Sequence, residues 1–286
     1  AKHPDAFPPI YTKMVEAGEI AGKLEESLSQ IVGQMKKTHE LTSSIRGAMI
    51  YPAVIIVAMG GIGIMMVTVV LPKLMILFKE FDAELPLPTV ILIKITDFMS
   101  DPLSLTLLVI CIIGLITLFI FSLRRFPSFK RTMHAIYLHL PIAGKIIKKI
   151  NLARFSLTLS SLLKSTIPII DAVDITAETC ANMLYREALH SAAQKIKSGT
   201  PLSEILSADF KLFPPMVTEM VMVGERAGEV SNLLDELANF YSSEVDKTMK
   251  NFTTVIEPVI ILLLGLAVAG MAVAVIMPMY SLVQQF

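Results

Sequence analysis

The sequence is poor in charged residues, which make up only 17% of its 286 positions, while 53% are hydrophobic. A soluble domain carries about a quarter charged residues. The 25 basic and 25 acidic residues cancel, so no overall positive field favours binding to nucleic acid. The composition therefore gives no indication of a nucleic-acid partner and departs from that of a soluble domain.

Cysteine is scarce as well, with Cys111 in an apolar run and Cys180 in a polar region. We expect these two residues to lie in different compartments, so the sequence predicts no disulfide. Neither cysteine has the spacing of a metal ligand, and the five histidines include no metalloprotease pair.

The motifs of common enzyme classes are also missing. Gly18 and Gly22 precede Lys23 at the wrong spacing for a phosphate-binding loop, and Leu24 stands where a magnesium-binding hydroxyl is required. No Gly-x-Ser-x-Gly elbow of a serine hydrolase occurs. The sequence predicts no catalytic residue and no cofactor.

What the chain does contain is three long runs without charge, at residues 47–72, 102–123 and 259–286. About 20 apolar residues are enough to cross a bilayer as a helix. Sustained alternation of β-branched residues, which is typical of strands, is absent from the sequence. The predicted fold class is an all-α membrane protein with three transmembrane helices.

The three spans also lack ionisable side chains in their interior. Transporters, pumps and intramembrane enzymes need such groups at depth, because a proton or a charged substrate must be paired there. Glu257, beside Pro258, is the nearest carboxylate, and we interpret it as interfacial. A non-enzymatic role is favoured; a channel or transporter subunit and a membrane adaptor are the alternatives.

A basic cluster follows the second run. Positive residues beside a span mark its cytoplasmic side and contact anionic headgroups, although a specific protein dock is an alternative for this cluster. Its residues are Arg124, Arg125, Lys130, Arg131, Lys148 and Lys149.

The loop at 73–101 has more acidic residues than lysines, so we expect it outside, with a short amphipathic helix. The predicted order is a cytoplasmic segment 1–46, a membrane helix 47–72, the external loop 73–101, a membrane helix 102–123, a basic turn with a cytoplasmic domain 124–250, and a membrane helix with a short external tail 251–286.

A repeat at a fixed offset of 206 residues organises the chain. Residues 7–22 and 213–228 are identical at ten of sixteen positions. A gap-free repeat indicates a duplicated structural unit, so we predict two related cytoplasmic helical-bundle domains. The helical region 145–211 before the second copy has no counterpart in this sequence, so we expect the first domain to be truncated at its N-terminus.

Both copies contain the motif Gly-Glu-x-Ala-Gly. We predict that the glycines form a turn after a short helix, which in the first copy ends at its first glycine, and that the glutamate caps the following helix. The alternative is a contact with another subunit or a partner. The motif residues are Gly18, Glu19 and Gly22 in the first copy and Gly224, Glu225 and Gly228 in the second.

Together with the Phe-Pro-Pro start of each copy, the Leu71-Pro72 end of a span, the loop from Glu84 to Thr89 and the Glu257-Pro258 pair, this pattern resembles one known family. It is the inner-membrane platform family of type IV pilus assembly and type II secretion (the PilC/GspF family). The resemblance covers essentially the whole chain.

The resemblance implies a non-enzymatic, multi-pass protein of the bacterial inner membrane that forms homo-oligomers. It further implies coupling between a cytoplasmic hexameric ATPase and pilins or pseudopilins that are drawn from the membrane. Other inner-membrane subunits of the machine and membrane lipids are further implied partners.

Overall fold

The computed structural model describes residues 7–70 and 101–283, together with Pro72, Lys94 and Phe98. The regular structure of these residues is helical, which confirms the all-α prediction. A π-helical turn, Met66–Val70, follows the second helix. The helices are α1 (Pro9–Ile20), α2 (Leu24–Met65), α3 (Pro102–Arg125), α4 (Pro127–His139), α5 (Ala143–Lys164), α6 (Ile169–Thr179), α7 (Met183–Lys197), α8 (Leu202–Ser207), α9 (Pro215–Ala227) and α10 (Val230–Val283).

Three of the described helices are long and apolar enough to cross a membrane, which confirms the number predicted. The apolar stretches lie within Leu24–Val70, Thr106–Leu123 and Val230–Gly270. The predicted external loop at 73–101 lies outside the described residues apart from Lys94, Phe98 and Asp101, and so does the end of the tail at 284–286.

The chain divides into two compact units. The first contains Ala1–Arg46 and Phe126–Lys250, and the second contains Gly47–Arg125 and Asn251–Phe286. Helices α2 and α10 begin in the first unit and continue as helix into the second. Both stretches that we predict to be cytoplasmic belong mainly to the first unit, and their division into two separate domains stays a prediction.

Three aromatic rings form the centre of the first unit. Phe213 packs edge-on against Phe155, at a ring distance of 5.5 Å, and against Tyr185, at 5.4 Å. The Tyr185 hydroxyl donates to the Leu212 carbonyl at 2.7 Å, so the buried phenol keeps a partner. Since fully burying one such ring contributes about 1.5–3 kcal/mol, this cluster stabilises the packing of α5 and α7.

Local sequence explains where several helices begin. Asn182 caps α7 by accepting a hydrogen bond from the Leu184 N–H at 2.9 Å. The Asp101 carboxylate accepts one from the Ser104 N–H at 3.1 Å at the start of α3. The stretch that we interpreted as a basic turn contains a further helix, α4, which begins at Pro127 in the first-turn position that suits proline.

Candidate functional site

The first glycine of each repeat motif lies inside a helix. Gly18 is buried in α1 and Gly224 in α9. A Cβ added at Gly224 would lie 2.9 Å from the Cα of Val230, and one at Gly18 would lie 2.6 Å from the Cβ of Ser27. These glycines therefore permit close approach of the next helix. Our prediction that the first helix ends at Gly18 is wrong, because α1 continues to Ile20.

The second glycine of each motif forms the turn. Gly22 and Gly228 have φ angles of +66° and +73°, in the left-handed region that favours glycine. In both copies the residue after this glycine donates its N–H to the first glycine's carbonyl, at 2.8 Å from Lys23 and 2.9 Å from Glu229. The two copies thus share one corner geometry.

The glutamate of the second copy caps a helix other than the one we predicted. The Glu225 carboxylate accepts hydrogen bonds from the N–H groups of Leu202, at 2.6 Å, and Ser203, at 3.1 Å, and from the Ser203 hydroxyl. It therefore caps α8 instead of α10. Helix α8 follows Pro201, which offers no side-chain acceptor of its own. In the first copy, Glu19 is exposed, and its carboxylate has no partner among the described residues.

A polar seam joins α2 to α5 within the first unit. Gln34 donates to the Thr158 hydroxyl at 3.4 Å and accepts from the Ser161 hydroxyl at 2.6 Å. Gln30 donates to the Lys164 carbonyl at 3.3 Å and accepts from the Ser165 hydroxyl. Because Gln34 is buried, its amide depends on these partners.

The seam ends at an ion cluster around Asp235 on α10. One carboxylate oxygen lies 2.7 Å from Nζ of Lys37 on α2, and the other lies 2.9 Å from Nζ of Lys164 on α5. Lys37 also donates to Asn239 at 3.2 Å. Burial of Asp235 tends to raise its pKa, but hydrogen bonds from the two lysines bring the pKa below its usual value. Asp235 therefore ties α2 and α5 to α10.

The basic cluster is divided between the two units. Arg124 and Arg125 belong to the second unit, and the other four residues belong to the first. Arg131 pairs with Glu187 on α7 at 3.0 Å. Lys149 is half-buried and donates to Glu244 at 2.8 Å and to Thr248 at 2.9 Å, both on α10. Contact of Arg124, Arg125, Lys130 and Lys148 with membrane headgroups stays a prediction.

Two histidines link the helices of the first unit. His134 on α4 accepts from the Met183 N–H at 2.9 Å; burial and two nearby cations, Lys130 and Arg186, lower its pKa. His190 on α7 lies 2.7 Å from Asp174 and 2.9 Å from Glu178, both on α6. Burial opposes protonation of His190, but these two carboxylates raise its pKa.

The described ranges contain no group of three or more His, Cys, Asp or Glu side chains that could hold a metal ion. The buried thiol of Cys180 has its pKa raised to about 12 by burial, so it is not an activated nucleophile. The described side-chain contacts of the first unit therefore connect its helices to one another.

Comparison with known proteins gives one consistent result. Residues 1–72 and 155–278 match the family model "Type II secretion system (T2SS), protein F", and each stretch contains one repeat copy. The chain is 31% identical to the type IV pilus assembly protein PilC of Myxococcus xanthus over 281 residues, which is 98% of this chain and 66% of that protein.

Two relatives from Pseudomonas aeruginosa extend the comparison. Its type IV pilus assembly protein PilC is 34% identical over 283 residues, which cover 98% of this chain and 74% of that protein. Its type II secretion system protein F is 31% identical over 281 residues, with 98% and 68% covered. The chain spans about two thirds of the length of the curated relatives that it matches.

Proposed function

Since the chain belongs to the family of type II secretion system protein F and type IV pilus assembly protein PilC, we propose that it couples a cytoplasmic hexameric ATPase to pilins or pseudopilins. Proteins of this family are non-enzymatic inner-membrane platforms of type IV pilus or type II secretion machines. The proposed coupling inserts or extracts pilin subunits as the ATPase acts on the first unit.

The observation that carries this proposal is the continuity of two helices. Helix α10 has 54 residues and α2 has 42, and each belongs to both compact units. At 1.5 Å per residue, α10 is about 80 Å long. Pro52 in α2 and Pro258 in α10 each remove one backbone hydrogen bond, but both helices continue through them. In this proposal, a displacement or rotation applied in the first unit is therefore passed along the axis of each helix.

The ion cluster around Asp235 makes the two helices act together in this proposal. Lys37 on α2 and Asp235 on α10 form a direct link, and Lys164 adds α5 to it. A partner that moves α5 would therefore move both α2 and α10. This explains how one ATPase contact on the first unit could reach two membrane helices.

We place the first unit in the cytoplasm because basic residues follow α3, and such residues favour the cytoplasmic side. The inner membrane is the compartment of the machines to which the family belongs. For assembly into a homo-oligomer, we propose contacts through the small residues of α2. A Cβ at Gly60, Gly61 or Gly63 would meet no described atom within 4 Å, so a second copy could approach closely there.

Two insertions after Asn251 in α10 test the coupling. A seven-residue alanine-rich insertion keeps the helix and restores its angular register to within about 20° after two turns. A glycine-serine insertion of the same length interrupts helix α10 at the same place. We expect the alanine-rich variant to retain much of the pilus assembly or secretion of the source bacterium, and the glycine-serine variant to lose it although both insert into the membrane.

Full assembly with the glycine-serine insertion would contradict transmission through α10. The platform role itself is tested separately by deleting the gene and by copurification with the ATPase. Normal pili and normal secretion after deletion would contradict that role. Ion flux from the purified protein in liposomes would instead support the channel alternative.

A further inference from the structure

Helix α4 carries apolar residues on a side where a surface helix is normally polar. They recur at spacings of seven, three and four residues, which places them on one side of the helix: Phe126 at the N-cap, Met133, Ile136, and Leu140 at the C-cap. Phe126, Ile136 and Leu140 are 56%, 49% and 44% exposed. We call these four residues the α4 apolar face.

The opposite side of α4 is packed on the rest of the first unit. Leu138 is buried, and His134 accepts the hydrogen bond from the Met183 N–H at the start of α7. Gly144 of α5 permits close approach, since a Cβ there would lie 2.8 Å from the carbonyl carbon of Leu138. These contacts fix α4 on α5 and α7 with its apolar face turned outward.

The connection to α3 places α4 beside an apolar helix. Only Phe126 separates the end of α3 at Arg125 from the start of α4 at Pro127. Because consecutive Cα atoms are about 3.8 Å apart, Pro127 lies within about 8 Å of Arg125. The stretch Thr106–Leu123 of α3 is long and apolar enough to cross a membrane. The chain therefore holds the start of α4 at the surface of the membrane that α3 crosses.

The charges around α4 are all of one sign. Residues 102–170 contain nine lysines and arginines and no acidic residue. Lys130, which lies beside the α4 apolar face in the helical register, and Lys145 form no ion pair with any carboxylate that the structure describes. These two ammonium groups are therefore available to an anionic surface.

We propose that α4 lies in the interface of an anionic membrane, with its apolar face among the outer parts of the acyl chains and Lys130 on the lipid headgroups. A helix that combines an apolar side with basic flanks binds such an interface. This inference does not depend on the proposed coupling function. It goes beyond headgroup contact by the basic cluster, because it gives the first unit an apolar attachment to the membrane besides the continuous helices.

The charge pattern favours a lipid surface over a second copy of the chain. Two copies that met through α4 would bring Lys130 and Lys145 of one close to the same residues of the other, and like charges repel. An anionic bilayer provides the opposite charge together with an apolar layer for Ile136 and Leu140. Both requirements of the α4 surface are then satisfied by one occupant.

Fluorescence quenching tests the proposal with residues 1–286 in vesicles of phosphatidylcholine and phosphatidylglycerol. Single cysteines carry an environment-sensitive fluorophore: Ile136→Cys on the α4 apolar face, Ile113→Cys in the apolar stretch of α3, and Val223→Cys on α9. Val223 is the matched control because it is an exposed aliphatic residue, at 57%, of the same unit as Ile136. A background with Cys111→Ala removes the exposed native thiol, and Cys180 is buried.

We expect lipids with a nitroxide near the headgroup to quench the label at Ile136 about threefold more than the label at Val223. Iodide in the water should quench Val223 more than Ile136, and nitroxides at the acyl-chain ends should quench Ile113 most. Lys130→Glu should lower the nitroxide quenching at Ile136, since one charge at an anionic surface changes binding about fivefold. Lys195→Glu, at an exposed lysine of α7, should not.

Equal nitroxide quenching at Ile136 and Val223 would overturn the proposal. Quenching of Ile136 mainly from the acyl-chain ends, as for Ile113, would place α4 in the membrane core and would also overturn it. Protection of Ile136 from iodide without nitroxide quenching would assign the α4 apolar face to a protein partner instead of lipid. A Lys130→Glu variant without effect would remove the proposed headgroup contact.

Discussion

Replacing Asp235 by alanine is expected to loosen α1 and α2 from the rest of the first unit. Asp235 provides the carboxylate for both Lys37 and Lys164, so its removal breaks two ion pairs at once. It also leaves two ammonium groups near each other without a counter-ion. The attachment of α2 to the rest of the first unit then depends on the glutamine contacts with α5 and on buried apolar residues of α2 such as Ile31.

The expected loss of stability follows from the solvent exposure of the three charged side chains. The side chains of Asp235, Lys164 and Lys37 are 30%, 34% and 41% exposed. Exposed ion pairs contribute about 0.2–1 kcal/mol each, because solvent screens them. We therefore expect Asp235→Ala to cost about 1–2 kcal/mol, which includes repulsion between the lysines. Lys37→Ala should cost about 0.5 kcal/mol, and the double variant no more than Asp235→Ala alone.

Amide hydrogen exchange measured by mass spectrometry can detect this effect locally. A loss of 1–2 kcal/mol corresponds to about 5- to 30-fold faster exchange in α1 and in the first turns of α2, if exchange occurs by local opening. Helix α7 serves as an internal control. Asp246→Ala is the matched variant, because Asp246 is an exposed carboxylate of the same helix. Unchanged exchange in Asp235→Ala, or additive effects in the double variant, would refute the reasoning.

Three further predictions concern the first unit, and thermal or chemical unfolding in detergent measures them. Glu225→Ala should cost about 1–2 kcal/mol because α8 loses its acceptor, and Glu225→Gln should cost less. Gly224→Ala should destabilise by about 1–3 kcal/mol through overlap with the backbone of α10. Gly33 has open space around its Cβ position, so Gly33→Ala should stabilise by about 0.5–1 kcal/mol. A Gly33→Ala variant less stable than Gly224→Ala would contradict this steric argument. The contributions of His134 and His190 to the free energy of unfolding should depend on pH in opposite directions. The lowered pKa of His134 makes its contribution present above about pH 6.5 and lost as pH falls through the folded value. The raised pKa of His190 makes its contribution present below about pH 6.5 and lost as pH rises through the folded value. Glutamine variants that leave both pH slopes unchanged would contradict these assignments.

The positions of most helices could be predicted because their signals are local. Asn182 and Gly199 mark the two ends of α7, and the structure begins that helix at Met183 and ends it at Lys197. The three apolar helices could be predicted for the same reason, since absence of charge over about 20 residues is a property of the sequence alone. Helix α4 was not predicted, because basic residues after a membrane span are also typical of a loop, although Pro127 is a signal for a helix start.

The partner of Glu225 could not be predicted in the same way. A carboxylate beside a helix start favours the nearest helix in the sequence, which is α10. The real partner, α8, precedes it by about 20 residues and reaches the carboxylate only through tertiary packing. One sequence signal did exist, because α8 begins after Pro201 without a capping side chain of its own and so needs an outside acceptor. The role of Gly224 likewise depends on a neighbouring helix.

Equivalent residues form the corner within each repeat copy, whereas non-equivalent residues make the contacts between the copies. The corner motif is shared, and both copies fold it with the same glycine conformation and the same backbone hydrogen bond. The residues of the ion cluster are not shared: Lys37 corresponds to Ser243, and Asp235 corresponds to Ser29. A duplicated unit that paired with itself through one common face would use equivalent residues on both sides. Since the link from Lys37 to Asp235 has no mirror image, α2 and α10 are joined in one orientation only.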